Sequence, residues 1–150
     1  MISAGEYDKD FYLWLMKNAK LIREGKFSEL DTEHIAEELE AMGKSEQREL
    51  ISRLAVLLAH LLKWTFQTVR RTRSWKNTIA TQRIDIIDLL EDSPSLQYEI
   101  EKKIAKAYER SRFMAENETG IDKNQFPVEC PFSVDQILQQ DFYPESEECA

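Results

Sequence analysis

Apolar side chains between Leu50 and Val69 recur at the three- and four-residue spacings of an α-helix, and this pattern constrains the fold more than any other feature of the sequence. Successive residues of a helix lie about 100° apart in projection, and here the apolar ones cover most of the circumference. A helix of that kind is buried on several sides. We therefore expect residues 45–71 to form the long central helix of an all-α bundle.

The polar residues of this predicted helix gather on one edge, within about a third of its circumference. The edge consists of Ser52, Arg53, His60, Lys63, Gln67, Arg70 and Arg71. Between Arg48 and Arg83 the chain has eight basic side chains and one acid, Glu49, so this region carries +7 although the whole chain carries −8. Basic charge is therefore concentrated on this edge and on the segment that follows it.

Turn-forming residues are scarce, with four Gly and four Pro in 150 residues, and this composition favours long helices. Capping residues and glycine stops divide the chain into five main helices and a C-terminal segment. The predicted bounds are Asp8 or Asp10 to Gly25, Asp31 to Gly43, Ser45 to Arg71, Ser74 to Asp92, and Ser93 to Gly120. An irregular wrap, a short helix with a capping box at Ser133 and Gln136, and an acidic frayed tail over residues 145–150 follow. These elements predict a single-domain helical bundle.

The first two predicted helices each have an apolar face at helical spacing. These faces consist of Phe11, Trp14, Leu15, Ala19 and Ile22 in the first helix, and of Ile35, Leu39 and Met42 in the second. Such faces are typical of helices that pack against neighbours in a bundle.

The overall charge and the lack of a targeting pattern limit the class of protein. A net charge of −8 and a pI near 4.9 argue against non-specific attraction to DNA or anionic membranes. The longest apolar run, residues 54–62, is far shorter than the roughly 20 residues of a membrane span and contains His60. No signal peptide is recognisable, and Cys130 and Cys149 lack metal-ligand spacing. We expect a cytoplasmic protein with reduced thiols, no cofactor and no membrane association.

Two interpretations of the basic edge remain open. In the first, it binds phosphates of a nucleic acid or another polyanion, with Trp64 and Trp75 as stacking platforms. Its candidate residues are Lys63, Arg70, Arg71, Arg73, Lys76 and Arg83. In the second, these charges pair within the bundle, and a turn at Gly43 places the acidic second helix beside the basic edge. The expected pairs join Arg53, Arg70, Arg71 and Arg73 to Glu37, Glu38, Glu40, Asp85 and Asp88 of neighbouring helices. The negative overall charge favours pairing.

The candidates for chemistry are few. His34, Glu37, Glu38 and His60 are weak candidates for a metal site, but no Glu-x-x-His motif is present. Cys130 has no histidine nearby in sequence, and no phosphate-binding loop, dinucleotide glycine pattern or nucleophile elbow occurs. The sequence therefore favours a protein without catalytic activity.

Nine sequence blocks occur in the order typical of one bacterial family. They are "DFYLWLMKNAKLIREGKFSELD", "IAEELEAMGKSEQREL", "LLAHLLKW", "SWKNTIATQR", "SPSL", "AYERSR", "ETG", "FPVECPFSVDQIL" and "DFYP". Over residues 10–144 the chain resembles the family designated domain of unknown function twenty-nine. The resemblance implies an all-helical single domain and no transferable activity.

We predict from these features a non-enzymatic protein-interaction or regulatory module. Polyanion binding is the alternative and a metal-dependent enzyme the weaker alternative. The protein partner is unspecified, and a homodimer remains open.

Overall fold

A computed structural model describes residues 4–145, and this part of the chain contains helices and irregular segments but no strand. The α-helices are α1 (Ala4–Lys9), α2 (Phe11–Arg23), α3 (Thr32–Phe66), α4 (Arg73–Asp92), α5 (Ile100–Thr119) and α6 (Val134–Leu138). Short 3-10 turns lie at Phe27–Glu29, Thr68–Arg70, Pro94–Gln97 and Lys123–Gln125. The predicted all-α class is confirmed. Of the predicted acidic tail, all but Glu145 lies outside the described residues.

The chain divides into two compact units, Met1–Glu46 and Gln47–Ala150. We call them the N-terminal unit and the C-terminal unit. The boundary falls within α3, so the first part of that helix belongs to one unit and the second part to the other. No helix within residues 4–145 combines the length and the apolar character that crossing a lipid bilayer requires.

The prediction of separate second and third helices is wrong, because α3 runs without interruption through Gly43 for 35 residues. Gly43 does not adopt the positive φ of a helix stop, which Gly25 and Gly120 do adopt. A glycine inside a helix costs only about 1 kcal/mol relative to alanine, and the helix-forming residues on both sides offset that cost. The predicted turn that would have paired the acidic helix with the basic edge therefore does not exist. The helix also ends at Phe66 rather than near Arg71.

The second part of α3 is the centre of the C-terminal unit, as its apolar pattern predicted. Six of its leucines are almost completely buried, and side chains of α4, α5, α6 and the C-terminal segment pack into the same core. The leucines are Leu50, Leu54, Leu57, Leu58, Leu61 and Leu62, and their partners include Ile79, Ile86, Ile104, Phe126 and Ile137. Packing on several sides explains why this segment tolerates so few polar residues.

Local capping signals place most helix ends. Asp10 accepts a hydrogen bond from the Leu13 backbone at the start of α2, and the capping box of Ser133 and Gln136 opens α6 as predicted. Thr72 caps α4, where we expected Ser74.

The junction before α5 differs from the prediction. Pro94 starts a 3-10 turn instead of α5, and Glu99, with φ of 52°, precedes the helix proper. The predicted end of α5 at Gly120 is confirmed.

The irregular wrap after α5 is held to that helix by hydrogen bonds. The Tyr108 hydroxyl donates to the Pro127 carbonyl over 2.6 Å, and the Arg112 guanidinium donates to the Lys123 carbonyl over 2.9 Å. Burial raises the pKa of Tyr108, which keeps its hydroxyl protonated as a donor.

Candidate interaction surface

Lys63, the first residue of the predicted polyanion site, is buried inside the C-terminal unit. Its side chain is 6% exposed, and its Nζ lies 2.5 Å from Glu118 Oε2. The same ammonium lies 4.7 Å from the ring centroid of Trp75. Lys63 therefore links α3 to α4 and α5, and both it and Trp75 are occupied by contacts within the chain.

Arg83 is completely buried and serves as a cap of α6. Its guanidinium donates to the carbonyl oxygens of Ile137 at 2.8 Å, Gln136 at 3.1 Å and Gln140 at 3.3 Å. These oxygens lie at the C-terminal end of a helix, where a cation is favourable. Burial lowers the pKa of Arg83, and the nearby Tyr143 opposes that shift.

Arg71 contacts the end of α3. Its Nε and one terminal nitrogen donate to the Trp64 carbonyl at 2.9 and 2.7 Å, and its guanidinium lies 4.8 Å from the Trp64 ring centroid. Arg53, on the same edge of the helix, pairs with Glu49 and with Asp85 of α4 at 3.1 and 2.9 Å. The second interpretation, pairing of the basic edge within the bundle, is therefore met in part by the ion pair of Arg53 with Asp85 of α4.

Arg70, Arg73 and Lys76 remain on the surface. Arg70 lies in the 3-10 turn after α3, and the other two lie in the first turn of α4. Lys76 Nζ is 5.7 Å from the ring centroid of Tyr143. Of the six candidate residues, these three present their charge to solvent.

His60 faces its own helix backbone. Its Nδ1 bonds the Val56 carbonyl at 2.9 Å, and burial lowers its pKa although that hydrogen bond opposes the shift. It belongs to the C-terminal unit, whereas the metal candidates His34, Glu37 and Glu38 belong to the N-terminal unit.

His34 belongs to a polar and aromatic cluster of the N-terminal unit. Its Nδ1 lies 2.7 Å from Asp31 Oδ2, which also accepts a hydrogen bond from Trp14 Nε1 at 2.8 Å. The ring of Tyr7 stacks on the His34 ring with centroids 4.0 Å apart, and the Tyr7 hydroxyl donates to Glu38. These contacts join α1 and α2 to the first turns of α3.

Hydrogen bonding in this cluster changes the pKa of three groups. Asp31 raises the pKa of His34. Burial raises the pKa of Asp31, but its hydrogen bonds from His34 and Trp14 outweigh this and give a net lowering. The bond to Glu38 raises the pKa of Tyr7 to about 12.

His34, Asp31, Tyr7 and Glu38 are therefore engaged in hydrogen bonds within the cluster. Residues 4–145 contain no group of three or more His, Cys, Asp or Glu side chains arranged to hold a metal ion.

The C-terminal unit contains a largely apolar pocket of about 420 Å³ near the end of α3. Its walls include Leu62, Phe66, Phe132, Phe142 and Pro131. Cys130 lies in the adjoining segment, where burial raises its pKa and its thiol bonds the Phe132 carbonyl at 3.6 Å. A raised pKa keeps this thiol protonated and unreactive.

Most of the exposed large apolar side chains within residues 4–145 lie on the N-terminal unit. Of residues 5–46 only Trp14 and Asn18 are buried, so the polar and aromatic cluster replaces an aliphatic core. Nine large apolar side chains of α2, the following turn and α3 are exposed. They are Phe11, Tyr12, Leu13, Leu15, Met16, Ile22, Phe27, Leu39 and Met42.

This surface corrects the predicted role of the first helix. The sequence predicts one packed face for Trp14, Phe11, Leu15 and Ile22, but only Trp14 is buried, and the other three are between 37% and 46% exposed. The sequence contains a signal for this arrangement, because the apolar residues of α2 cover more of its circumference than one neighbouring helix can bury.

Charge on the same unit is divided between its two main helices. α2 contains Lys17, Lys20 and Arg23 and no acid. Residues 32–46 of α3 contain five acids against Lys44, a charge of −4 with histidine neutral. Each helix therefore combines exposed apolar side chains with charge of a single dominant sign.

Comparison with known proteins places the chain in a family. The model of the domain of unknown function DUF29 matches residues 6–143, which is nearly the whole chain, so the chain belongs to that family. No curated protein and no solved structure shows a significant match. The family description carries no activity.

Proposed function

We propose that this member of the DUF29 family is a non-enzymatic protein-interaction module and that its N-terminal unit presents the binding surface. The observation that carries the proposal is the exposure of nine large apolar side chains on a unit that buries only Trp14 and Asn18 among residues 5–46. An aromatic side chain has roughly 150–250 Å² of surface, so the exposed parts of Phe11, Tyr12 and Phe27 alone sum to on the order of 300 Å², and six aliphatic side chains add to this area. The largest apolar patch of a typical monomer covers about 300–600 Å².

The small number of buried side chains supports the same proposal. Short helical units that bury little apolar surface are marginally stable and gain stability by association. A protein partner that covered α2 and residues 32–46 would supply the apolar contacts that the unit lacks. The groups we considered for catalysis, His60 and Cys130, are engaged in contacts within the chain instead.

Two tyrosines provide a matched test by photo-crosslinking in cells of the source organism. Tyr12 on α2 is 72% exposed, and Tyr98 in the C-terminal unit is 75% exposed. A photoreactive phenylalanine at position 12 should give a discrete protein adduct, and the same group at position 98 should not. The double substitution Leu15→Glu and Met16→Glu, on the same face as Tyr12, should abolish the adduct. Equal crosslinking from both positions, no adduct from position 12, or an adduct insensitive to the double substitution would overturn the proposal.

Polyanion binding is the second candidate function. It is supported by the exposure of Arg70, Arg73 and Lys76 around the start of α4, next to a shallow polar groove that includes Arg73 and Asn77. The contacts of Lys63, Arg71 and Arg83 reduce its support, because those three cations already bind groups of the same chain.

A further inference from the structure

We infer that the partner of the N-terminal unit is a second copy of the same chain. In this arrangement α2 of each copy packs against residues 32–46 of the other. The inference rests on the proposed function, because it names the occupant of the same surface.

Charge complementarity is the first argument for a second copy. α2 carries three basic side chains and no acid, and residues 32–46 carry five acids and one lysine. Within residues 4–145, no ion pair forms at Lys20, Arg23, Glu37 or Glu40, although all four are exposed. Lys17 of α2 pairs with Glu6 of α1 over 2.8 Å, so the charges left over are the basic pair at the end of α2 and the acids of residues 32–46. Opposite charges that are not paired within one chain favour contact between chains.

The two helical segments also match in length and in apolar pattern. α2 has 13 residues and residues 32–46 number 15, which correspond to lengths of about 20 and 22 Å. Phe11, Leu15 and Ile22 run along α2 at helical spacing, and Leu39 and Met42 continue the same kind of pattern on α3. Antiparallel or crossed helices with such stripes bury them by interdigitation.

The exposed area suits a symmetric dimer. A specific interface buries roughly 800 Å² on each partner, polar and apolar area together, and the exposed apolar side chains of α2 and residues 32–46 supply a large part of the apolar share. A two-fold axis makes the contact reciprocal, so the α2 to α3 contact occurs twice. One copy therefore offers both surfaces that the other copy requires.

An anionic membrane fits this surface less well. α2 alone has the basic and apolar character of a helix that binds anionic lipid. The five acids of residues 32–46 lie on the same compact unit and would be repelled by such a membrane. A second copy offers opposite charge and apolar contacts to both helical segments, whereas an anionic lipid surface offers them only to α2.

Reciprocal charge reversal tests the inference in the full-length chain. One variant carries Lys20→Glu and Arg23→Glu, and the other carries Glu37→Lys and Glu40→Lys. Each variant alone places like charges across both copies of the contact, and we expect its self-association to weaken by at least about tenfold. A mixture of the two restores opposite charges at both contacts, so a mixed dimer should form.

Sedimentation velocity over a range of protein concentrations provides the measurement. The wild-type chain, of 17.6 kDa, should sediment at twice that mass. Controls are Lys106→Glu with Arg110→Glu, and Glu101→Lys with Glu109→Lys, on exposed positions of α5, and these should dimerise like the wild type. Circular dichroism confirms that each variant is folded.

The outcomes separate this inference from the proposed function. A monomeric wild-type chain, or a mixture no more associated than its components, would overturn the inference. If the photoreactive group at position 12 crosslinks to a different protein, the proposed function stands and only the second copy is excluded as the partner. Wild-type sedimentation with anionic vesicles, but not with neutral ones, would identify a lipid surface and overturn the inference as well.

Discussion

Arg83 Nε donates a hydrogen bond to the Ile137 carbonyl over 2.8 Å and so joins two residues 54 positions apart in sequence. The guanidinium has no carboxylate partner within residues 4–145 and instead bonds three backbone oxygens around the end of α6. A charge count groups this residue with the candidates for polyanion binding. The structure assigns it to the attachment of the C-terminal segment.

Substitution of Arg83 by Met should destabilise the C-terminal unit. Methionine keeps much of the side-chain volume, but three carbonyl oxygens lose a charged donor at a fully buried position. We expect the free energy of unfolding to fall by about 3 kcal/mol. Urea denaturation followed by circular dichroism measures the change.

Arg73 provides the control for this substitution, because it is an exposed arginine on the same helix. Arg73→Met should change the free energy of unfolding by less than about 0.5 kcal/mol. Equal free energies of unfolding for the two variants would show that the hydrogen bonds of Arg83 to the end of α6 do not stabilise the fold.

Much of the C-terminal unit was predictable because its signals are local or strongly periodic. The buried part of α3 follows from its apolar pattern, and the capping box of Ser133 and Gln136 follows from four consecutive residues. The hydrogen-bond partners of Arg83 could not be predicted, because they are backbone atoms that only the tertiary structure brings close to it. The same holds for Lys63, whose partner Glu118 lies 55 residues away.

The N-terminal unit shows a different limit of sequence reasoning. The apolar spacing of α2 correctly predicts a helix, but it cannot specify which of the apolar residues face inward. Trp14 is selected because its indole nitrogen reaches Asp31, while Phe11 and Leu15 have no such polar anchor. An apolar face therefore predicts a contact, but that contact does not have to lie within the same chain.

The two histidines should titrate in opposite directions from the ordinary value of 6.5. The hydrogen bond that His34 donates to Asp31 raises the pKa of His34, with smaller contributions from Glu37 and Glu33, and burial opposes the shift. Burial lowers the pKa of His60, and the nearby Lys63 acts in the same direction. Titration of the imidazole signals by nuclear magnetic resonance should place His34 above 6.5 and His60 below it.

The pKa shifts predict how His34 stabilises the fold as a function of pH. Because the pKa of His34 is raised on folding, its contribution is complete below 6.5 and is lost as the pH rises through the folded value. Asp31 has a lowered pKa, so its contribution is complete above 3.8 and is lost as the pH falls through its folded value. The pair should therefore stabilise most between 3.8 and 6.5.

The variant His34→Gln isolates this effect from His60. The difference in unfolding free energy between wild type and variant should be largest within that window and should shrink at alkaline pH. A difference that is constant with pH would show that the charge of His34 does not contribute.

Binding of duplex DNA should be weak, and its affinity should depend only moderately on salt concentration. The logarithm of the binding constant falls linearly with the logarithm of salt concentration, by a slope of about 0.9 for each phosphate neutralised. If all six candidate cations bound phosphates, this slope would be about 5.4. Because only Arg70, Arg73 and Lys76 are exposed, it should not exceed about 2.7. Fluorescence anisotropy with labelled duplex at several salt concentrations measures it. A steeper slope would show that Lys63, Arg71 or Arg83 leaves its partner to bind phosphate.

Gly43 offers a direct test of the uninterrupted α3. It lies inside the helix without a positive φ, and a Cβ added there meets no atom within 4 Å. Gly43→Ala should therefore raise the free energy of unfolding by about 0.5–1 kcal/mol, because alanine favours the helix and restricts the unfolded chain. Gly120 has equal space around its Cα but a φ of +78°, so Gly120→Ala should be destabilising, by about 1 kcal/mol. Urea denaturation of both variants makes the comparison. If Gly43→Ala lowered stability as Gly120→Ala does, Gly43 would be a helix stop, and the two-helix prediction would replace the continuous α3.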